Sequence, residues 1–319
     1  MEEGYEIFKA LTAEVEKVIV GKHTEVVLLI SSMLAGGHVL IEDVPGVGKT
    51  TLASALAKAA GLTFNRIQFT PDVTASDITG FNMYNRKTES FEMRSGLVMC
   101  NLLLADEINR ASPKTQSALL EAMEEGKVTV DGVTYKIPEP FMVIATQNPS
   151  GYVGTYPLPE AQLDRFMIRL SIGYPTLAEE IEIIVSRRDH DMLEDVKTVA
   201  DIEKIRELCR LVRSVRIDTK VYKYIVTLVQ ATRTHKSISL GASPRASVAL
   251  MRLSQVFAFT RGRDYVLPDD IAAIFAPVVS HRLILKQEAK LNRVAASDIL
   301  TELRRNIEVP YISERDKKK

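Results

Sequence analysis

The sequence predicts an α/β domain built on a parallel sheet, followed by an all-helical domain. Three observations lead there. Five short apolar runs, 39–41, 64–68, 102–105, 142–146 and 167–172, are each followed by a helical pattern or an insertion. Strands that alternate with helices argue a parallel sheet covered on both faces. The first run opens into a glycine-bearing loop and then a helix, HVLIEDVPGVGKTT over residues 38–51. From Tyr174-Pro175 onward the composition changes and the chain reads as almost wholly helical. The boundary is placed near Gly173–Pro175, giving an α/β core over 1–173 and a helical domain over 174–319.

The elements follow in order. Residues 1–18 place Ile7, Phe8, Leu11, Val15 and Val18 at helical spacing, and a second helix spans His23 to Leu34. Between the second and third strands, Phe81–Tyr84 and Phe91–Met93 flank a turn at 85–89 and predict a hairpin near 80–94. A second hairpin, near 128–137, carries Asp131-Gly132 at its turn. Helices are expected over 177–188, 201–213, 219–234, 243–260 and 269–285. The last of these starts at Leu267-Pro268-Asp269-Asp270, with proline and acids where a helix N-terminus prefers them.

Composition excludes several classes. With 46% hydrophobic and 26% charged residues, the chain of 319 residues is an ordinary globular sequence, long enough for two cores. Lys+Arg and Asp+Glu both number 41, so no global charge excess argues for nucleic acid or a membrane surface. Cys100 and Cys209 stand far apart in no CxxC pattern and fit buried thiols in a reducing cytoplasm. The most apolar stretch, 26–41, is interrupted by Ser31, Ser32, Gly36, Gly37 and His38, so no spanning segment is expected. The acidic start MEEGYEIF is unlike a signal peptide, and the closing RDKKK reads as a solvated tail. The five histidines are scattered without metal-ligand spacing.

The chemistry begins at the glycine-bearing loop. Gly46, Val47 and Gly48 let backbone N–H groups approach phosphate oxygens, and the helix that follows adds its partial positive charge. Lys49 would reach the β- and γ-phosphates, and Thr50, followed by Thr51, would ligate magnesium. Asp43 stands where the strict phosphate-loop pattern has its first glycine. A dinucleotide fingerprint fails, because Thr51 occupies the place of its third glycine. The strand LLLADE ends in two acids: Asp106 would hold magnesium and Glu107 would polarise an attacking water. The strand IATQNP delivers Asn148, which would orient that water or simply make a turn before Pro149. Arg165, just before the last strand, is either a surface ion-pair partner or a charge offered to a phosphate on a neighbouring subunit. Arg245, in the first turn of a helix opened by Ser243-Pro244, faces whatever that helix covers.

Taken together these motifs resemble the AAA+ ATPases and, within them, the MoxR family, over nearly the whole chain. VPGVGKT resembles the family's Walker A with Asp43 as a variant, and LLLADEINRASPKTQSALLEAMEE its Walker B and following helix. ATQNP, YPLPEAQLDRF and SPRAS resemble its sensor 1, arginine finger and sensor 2, and GRDYVLPDDI its lid. The stretch SGYV at 150–153 departs from the family's usual acidic-glutamine run. The resemblance implies a P-loop core with a five-stranded parallel sheet and a helical lid. It also implies ATP and magnesium as cofactors, Ile19 and Val20 packing on adenine, and a homo-oligomeric ring, usually a hexamer. In that ring Arg165 would act in trans, and Arg245 in cis or in trans. The two hairpins resemble the helix-2 insert and the pre-sensor-1 hairpin. The family further implies chaperone-like action on partner proteins, often with von Willebrand factor A domains, in metalloenzyme maturation. A nucleic-acid motor of the MCM kind, or a metal-chelatase subunit, is the alternative. The hairpin tips, Arg86-Lys87 beside Glu89 and Asp131-Gly132, offer little to nucleic acid.

Overall fold

The computed structural model describes residues 1–147, 156–186 and 192–313. Asn148, the end of the helix expected to reach Arg188, and the RDKKK tail lie outside the described residues.

Two helices, α1 (Glu2–Glu16) and α2 (His23–Leu34), lead into β1 (Val39–Glu42). The core continues with α3 (Lys49–Ala59), β2 (Phe64–Gln68) and α4 (Ala75–Thr79). A hairpin of β3 (Gly80–Asn85) and β4 (Ser90–Ser95) follows, then β5 (Leu102–Asp106) and α5 (Pro113–Glu125). The second hairpin is β6 (Lys127–Val130) with β7 (Val133–Lys136). The core closes with β8 (Met142–Gln147), α6 (Glu160–Leu163) and β9 (Ile168–Leu170). All five core strands pair in parallel in the order β2-β5-β8-β1-β9.

The central strands β1, β5 and β8 hold their places because both faces are buried. On β1, Val39 and Ile41 join a cluster with α1–α3, while Leu40 joins the cluster on the opposite face with α5. That two-residue alternation fixes the register, since a slip of one residue would exchange the two faces. Apolar runs buried on both sides carry no polar alternation, which is why they read as continuous in the sequence.

The remaining chain contains α7 (Leu177–Ser186), α8 (Ile202–Arg213), α9 (Thr219–Thr234), β10 (Ile238–Leu240) and α10 (Pro244–Phe259). It ends with α11 (Pro268–Val279), β11 (Ile284–Leu285), α12 (Gln287–Leu291) and α13 (Ala296–Asn306). Leu208 of α8 and Phe259 of α10 lie in the same buried cluster as Phe8, Leu11 and Val15 of α1. A Cβ on Gly4 would meet all three of Leu208, Leu211 and Phe259 within about 3 Å, so α1 lies flush on these helices.

The helix expected over 269–285 is shorter. It stops at Val279, makes one 3-10 turn over Ser280–Arg282, and gives way to β11, which pairs antiparallel with β10. The cause is Arg282. Its buried guanidinium donates to Asp164 Oδ1 (2.8 Å), Phe166 O (2.6 Å) and Met167 O (3.1 Å), bonds that draw residue 282 toward the foot of the sheet. The two-strand ribbon β10–β11 and the helices α12 and α13 were not expected from the sequence. Among the described residues no helix is long and apolar enough to cross a membrane.

Candidate nucleotide site

Because the five strands are parallel, the residues that follow β1, β5 and β8 all emerge at one edge of the sheet. Ligands of open α/β folds bind at that edge. A cavity of about 430 Å³ lies there. Gly46, Val47, Gly48, Lys49, Thr50 and Thr51 line it from the loop, Asp106 and Glu107 from the end of β5, and Ile19 and Val20 from the turn after α1. Ten residues singled out from the sequence therefore surround one space. Asn148 follows β8 directly and lies outside the described residues.

The loop's geometry suits an anion. Gly48 is the N-cap of α3 with φ +89, a left-handed conformation that side chains resist, and it turns the chain so that α3 begins at Lys49. The Lys49 ammonium donates to the Asp43 carbonyl at 2.7 Å. Burial pulls its pKa below the ordinary lysine value, and the carboxylates of Asp43, Asp106 and Glu107 pull the other way. The nearby acids thus favour the charged form that a phosphate would need.

Asp106 and Glu107 are held by a residue the sequence reading passed over. Thr146, fully buried on β8, donates through Oγ1 to Asp106 Oδ1 (2.6 Å) and accepts from the Glu107 backbone N–H (2.9 Å). Glu107 sits at φ +56, a sparsely populated conformation for a side-chain-bearing residue, and the Thr146 bond pins it there. The other oxygen of Asp106 accepts from Arg66 at 2.9 Å, and Arg66 also lines the cavity. Asp106 and Thr50 fit a nucleotide-borne magnesium, which usually takes one or two protein ligands beside phosphate oxygens. Among the described residues no group of three or more His, Cys, Asp or Glu gathers as a separate metal site.

Asp43, read from the sequence as a variant glycine position, has its own work. It is buried, and Oδ2 accepts from the N–H groups of Ile172 and Gly173 and from the Ser171 hydroxyl, while Oδ1 accepts from Val44 N–H. The carboxylate therefore ties the phosphate loop to the segment through which the chain leaves the core.

Arg165 and Arg245 are elsewhere. Arg165 precedes β9, the parallel neighbour of β1, and so lies at the sheet edge opposite the phosphate loop. Its guanidinium donates to Leu120 O at 2.8 Å and pairs with Glu124 at 3.1 Å. Arg245 pairs with the same Glu124. The Ser243 hydroxyl, which caps α10, donates to Asp164 Oδ2 at 2.7 Å, so the helix bearing Arg245 is fastened beside Arg165. A strand's length of packed sheet separates both arginines from the phosphate loop of their own chain.

The comparisons with known proteins agree with this architecture. The profile described as "ATPase family associated with various cellular activities (AAA)" matches residues 38–168, and that of the AAA lid domain matches 230–303. The uncharacterized protein YeaC of Bacillus subtilis is 51% identical over 296 residues, covering 93% of this chain and 92% of that protein. The chain belongs to the AAA+ ATPases. This AAA+ ATPase is also 38% identical to Chaperone MoxR1 of Mycobacterium tuberculosis, over 94% of this chain and 81% of that one. Among solved structures, a candidate ATPase from Cytophaga hutchinsonii superposes with a TM-score of 0.90 at 38% identity. The match covers 97% of this chain and 96% of the other.

Proposed function

We propose that this AAA+ ATPase is of the MoxR type: a homo-oligomeric ring, hexameric by family likeness, that uses ATP hydrolysis to remodel or activate a partner protein. The observation that carries the reading is the division of the machinery between two sheet edges. Lys49, Thr50, Asp106 and Glu107 surround the cavity, while Arg165 and Arg245 sit together at the opposite edge on one carboxylate. Neither arginine lines its own chain's cavity, which supports a reading in which each acts in trans on a neighbour.

In this reading Gly46–Thr51 cradle the phosphates, Lys49 leaves the Asp43 carbonyl for them, and Ile19 and Val20 pack on the adenine. Glu107 takes the proton of the attacking water, with Thr146 holding both acids in line and Asn148 turning the water. Magnesium, held by Thr50 and Asp106, would neutralise charge on the β- and γ-phosphates. The neighbour's Arg165 stabilises the charge that develops as the terminal phosphoryl leaves. A chaperone role is supported by the name of the Mycobacterium tuberculosis relative. Partners with von Willebrand factor A domains, in metalloenzyme maturation, follow from the family resemblance.

Glu107→Gln is expected to bind ATP normally while turnover falls by roughly 10²–10⁴. Arg165→Ala should also abolish turnover, by roughly 10³–10⁵, yet supply a working cavity to a neighbour. A mixture of Arg165→Ala with Glu107→Gln chains should therefore regain ATPase activity that neither has alone. Absence of that complementation, with both variants folded and assembled, would refute the trans arrangement. The Glu107→Gln chain in ATP is the bait for the partner.

A further inference from the structure

Helix α7 has the sequence LAEEIEIIVS, and none of its residues is buried. Leu177 is 79% exposed, Ile181 54%, Ile184 67% and Val185 67%. Their spacing of four, three and one puts these side chains on a single stripe. Single exposed aliphatics are unremarkable, but a continuous stripe of four on a short helix marks a surface that is covered in the working molecule.

The position of α7 says what covers it. Ile183, on the same helix, lines the nucleotide cavity. The helix is fastened to the turn that carries Ile19 and Val20: Lys22 Nζ donates to Tyr174 O at 3.2 Å, and Glu179 packs so closely on Gly21 that a Cβ there would collide with its carboxylate. The stripe is therefore part of the rim around the site that must receive the neighbour's Arg165 and Arg245.

The face that carries those arginines has a matching recess. A second cavity of about 430 Å³ lies between the foot of the sheet and α10, floored by Met123, Met167, Pro244, Val248 and Ala249. Four arginines, Arg165, Arg245, Arg252 and Arg282, line it against two acids, Glu124 and Asp164. Helix α7 has the opposite character, with Glu180 and Glu182 exposed and no basic residue between 177 and 186. Apolar stripe meets apolar floor, and acid meets base.

We propose that the apolar stripe of α7 docks into the arginine-lined recess beneath α10 of the next copy of this chain, so that one heterologous contact both covers α7 and delivers Arg165 and Arg245 to the nucleotide cavity. This rests on the trans arrangement proposed above and adds the surface that enforces it. Because the two faces differ, the contact repeats from copy to copy, as a ring requires, instead of stopping at a two-fold dimer.

The test uses the full chain with ATP and magnesium, followed by light scattering after gel filtration and by ATPase rate. Ile181→Asp/Ile184→Asp alters only exposed side chains, and Val248→Asp alters the recess. Each variant is expected to keep the parent's circular dichroism, to assemble at least about tenfold more weakly, and to lose ATPase in proportion. Mixed one to one, the two variants share one intact contact, between the stripe of the Val248→Asp chain and the recess of the other. The mixture should form pairs, but no larger rings, and recover part of the activity. If either variant assembles like the parent, the proposal is overturned while the trans arrangement stands. If both are monomeric and the mixture recovers nothing, the stripe packs on its own copy and the proposal is equally overturned. A parent chain that stays monomeric in ATP overturns the ring itself, a result distinct from the other two.

Discussion

Replacing Asp43 tests how the phosphate loop is joined to the rest of the chain. The carboxylate accepts from Ile172 N–H, Gly173 N–H (2.7 Å), the Ser171 hydroxyl (3.2 Å) and Val44 N–H (3.0 Å). Asp43→Ala removes every one of these acceptors and leaves the buried Ile172 N–H and the half-buried Gly173 N–H without them. A buried donor stripped of its partner costs about 1–3 kcal/mol. With water able to reach Gly173, a total near 3 kcal/mol is expected, which for a chain of this size lowers Tm by about 4–5 °C. Asp43→Gly, which restores the strict phosphate-loop pattern, should be no better, since it loses the same bonds and adds about 0.5–1 kcal/mol of backbone entropy. Asp43→Asn keeps one acceptor oxygen and should fall between. Ile172 and Gly173 also line the nucleotide cavity, so the loosened segment should raise KM for ATP more than it lowers kcat. Calorimetric melting of the three variants with ATPase kinetics decides the matter. If Asp43→Ala melts within about 1 °C of the parent, the carboxylate network does not hold the segment and this reasoning fails.

Two further outcomes are expected. Thr146→Val preserves shape but deletes the bonds to Asp106 and to Glu107 N–H. It should destabilise the chain by about 1–3 kcal/mol and lower kcat with little change in KM, while Thr146→Ser restores both. His38 is held neutral: Val143 N–H donates to Nδ1, Nε2–H donates to Met123 O, and burial lowers its pKa from 6.5 to about 4. Below pH 6.5 the unfolded chain takes up a proton that the folded chain refuses. Stability should thus fall from pH 6.5 downward, by about 2 kcal/mol at pH 5 and about 3 kcal/mol near pH 4. Urea midpoints across that range should be flatter in His38→Gln, with a remaining slope from His281, whose burial shifts it the same way.

What the sequence made legible was local. The phosphate loop, the two acids at the end of β5 and the Asp131-Gly132 turn are contiguous words, each spanning only a few residues. The three central strands, β1, β5 and β8, were legible because burial on both faces leaves uninterrupted apolar runs. What escaped depends on contacts between residues far apart in the chain. Helix α11 stops short because Arg282 bonds to residues 164–167, and nothing near 282 announces them. Asp43 looked like a departure from a pattern because its partners, residues 171–173, lie at the other end of the domain. Thr146 had a faint signal, a polar residue within a buried strand, whereas Arg66 looked like any charge on an edge strand.

In the proposed ring, Glu124 is the point at which assembly and catalysis meet. Its one carboxylate pairs with both Arg165 and Arg245, the two groups that in the proposed ring turn to a neighbour's phosphate. Glu124 and Arg245 are exposed and Arg165 is half-buried, and ion pairs this close to solvent contribute about 0–1 kcal/mol. The latch is weak enough to be given up on docking, yet it keeps two like charges from repelling each other meanwhile. Glu124→Gln removes the competition for the arginines at little cost in fold. A gain of up to 1 kcal/mol in presenting Arg165 corresponds to about a fivefold rise in ATPase at subsaturating chain concentration, with no change at saturation. The measurement is ATPase rate against chain concentration for parent and variant, with melting temperature as the control. A variant that melts like the parent but turns over more slowly at every concentration would mean that Glu124 serves the neighbour's site directly, and the latch would be wrong.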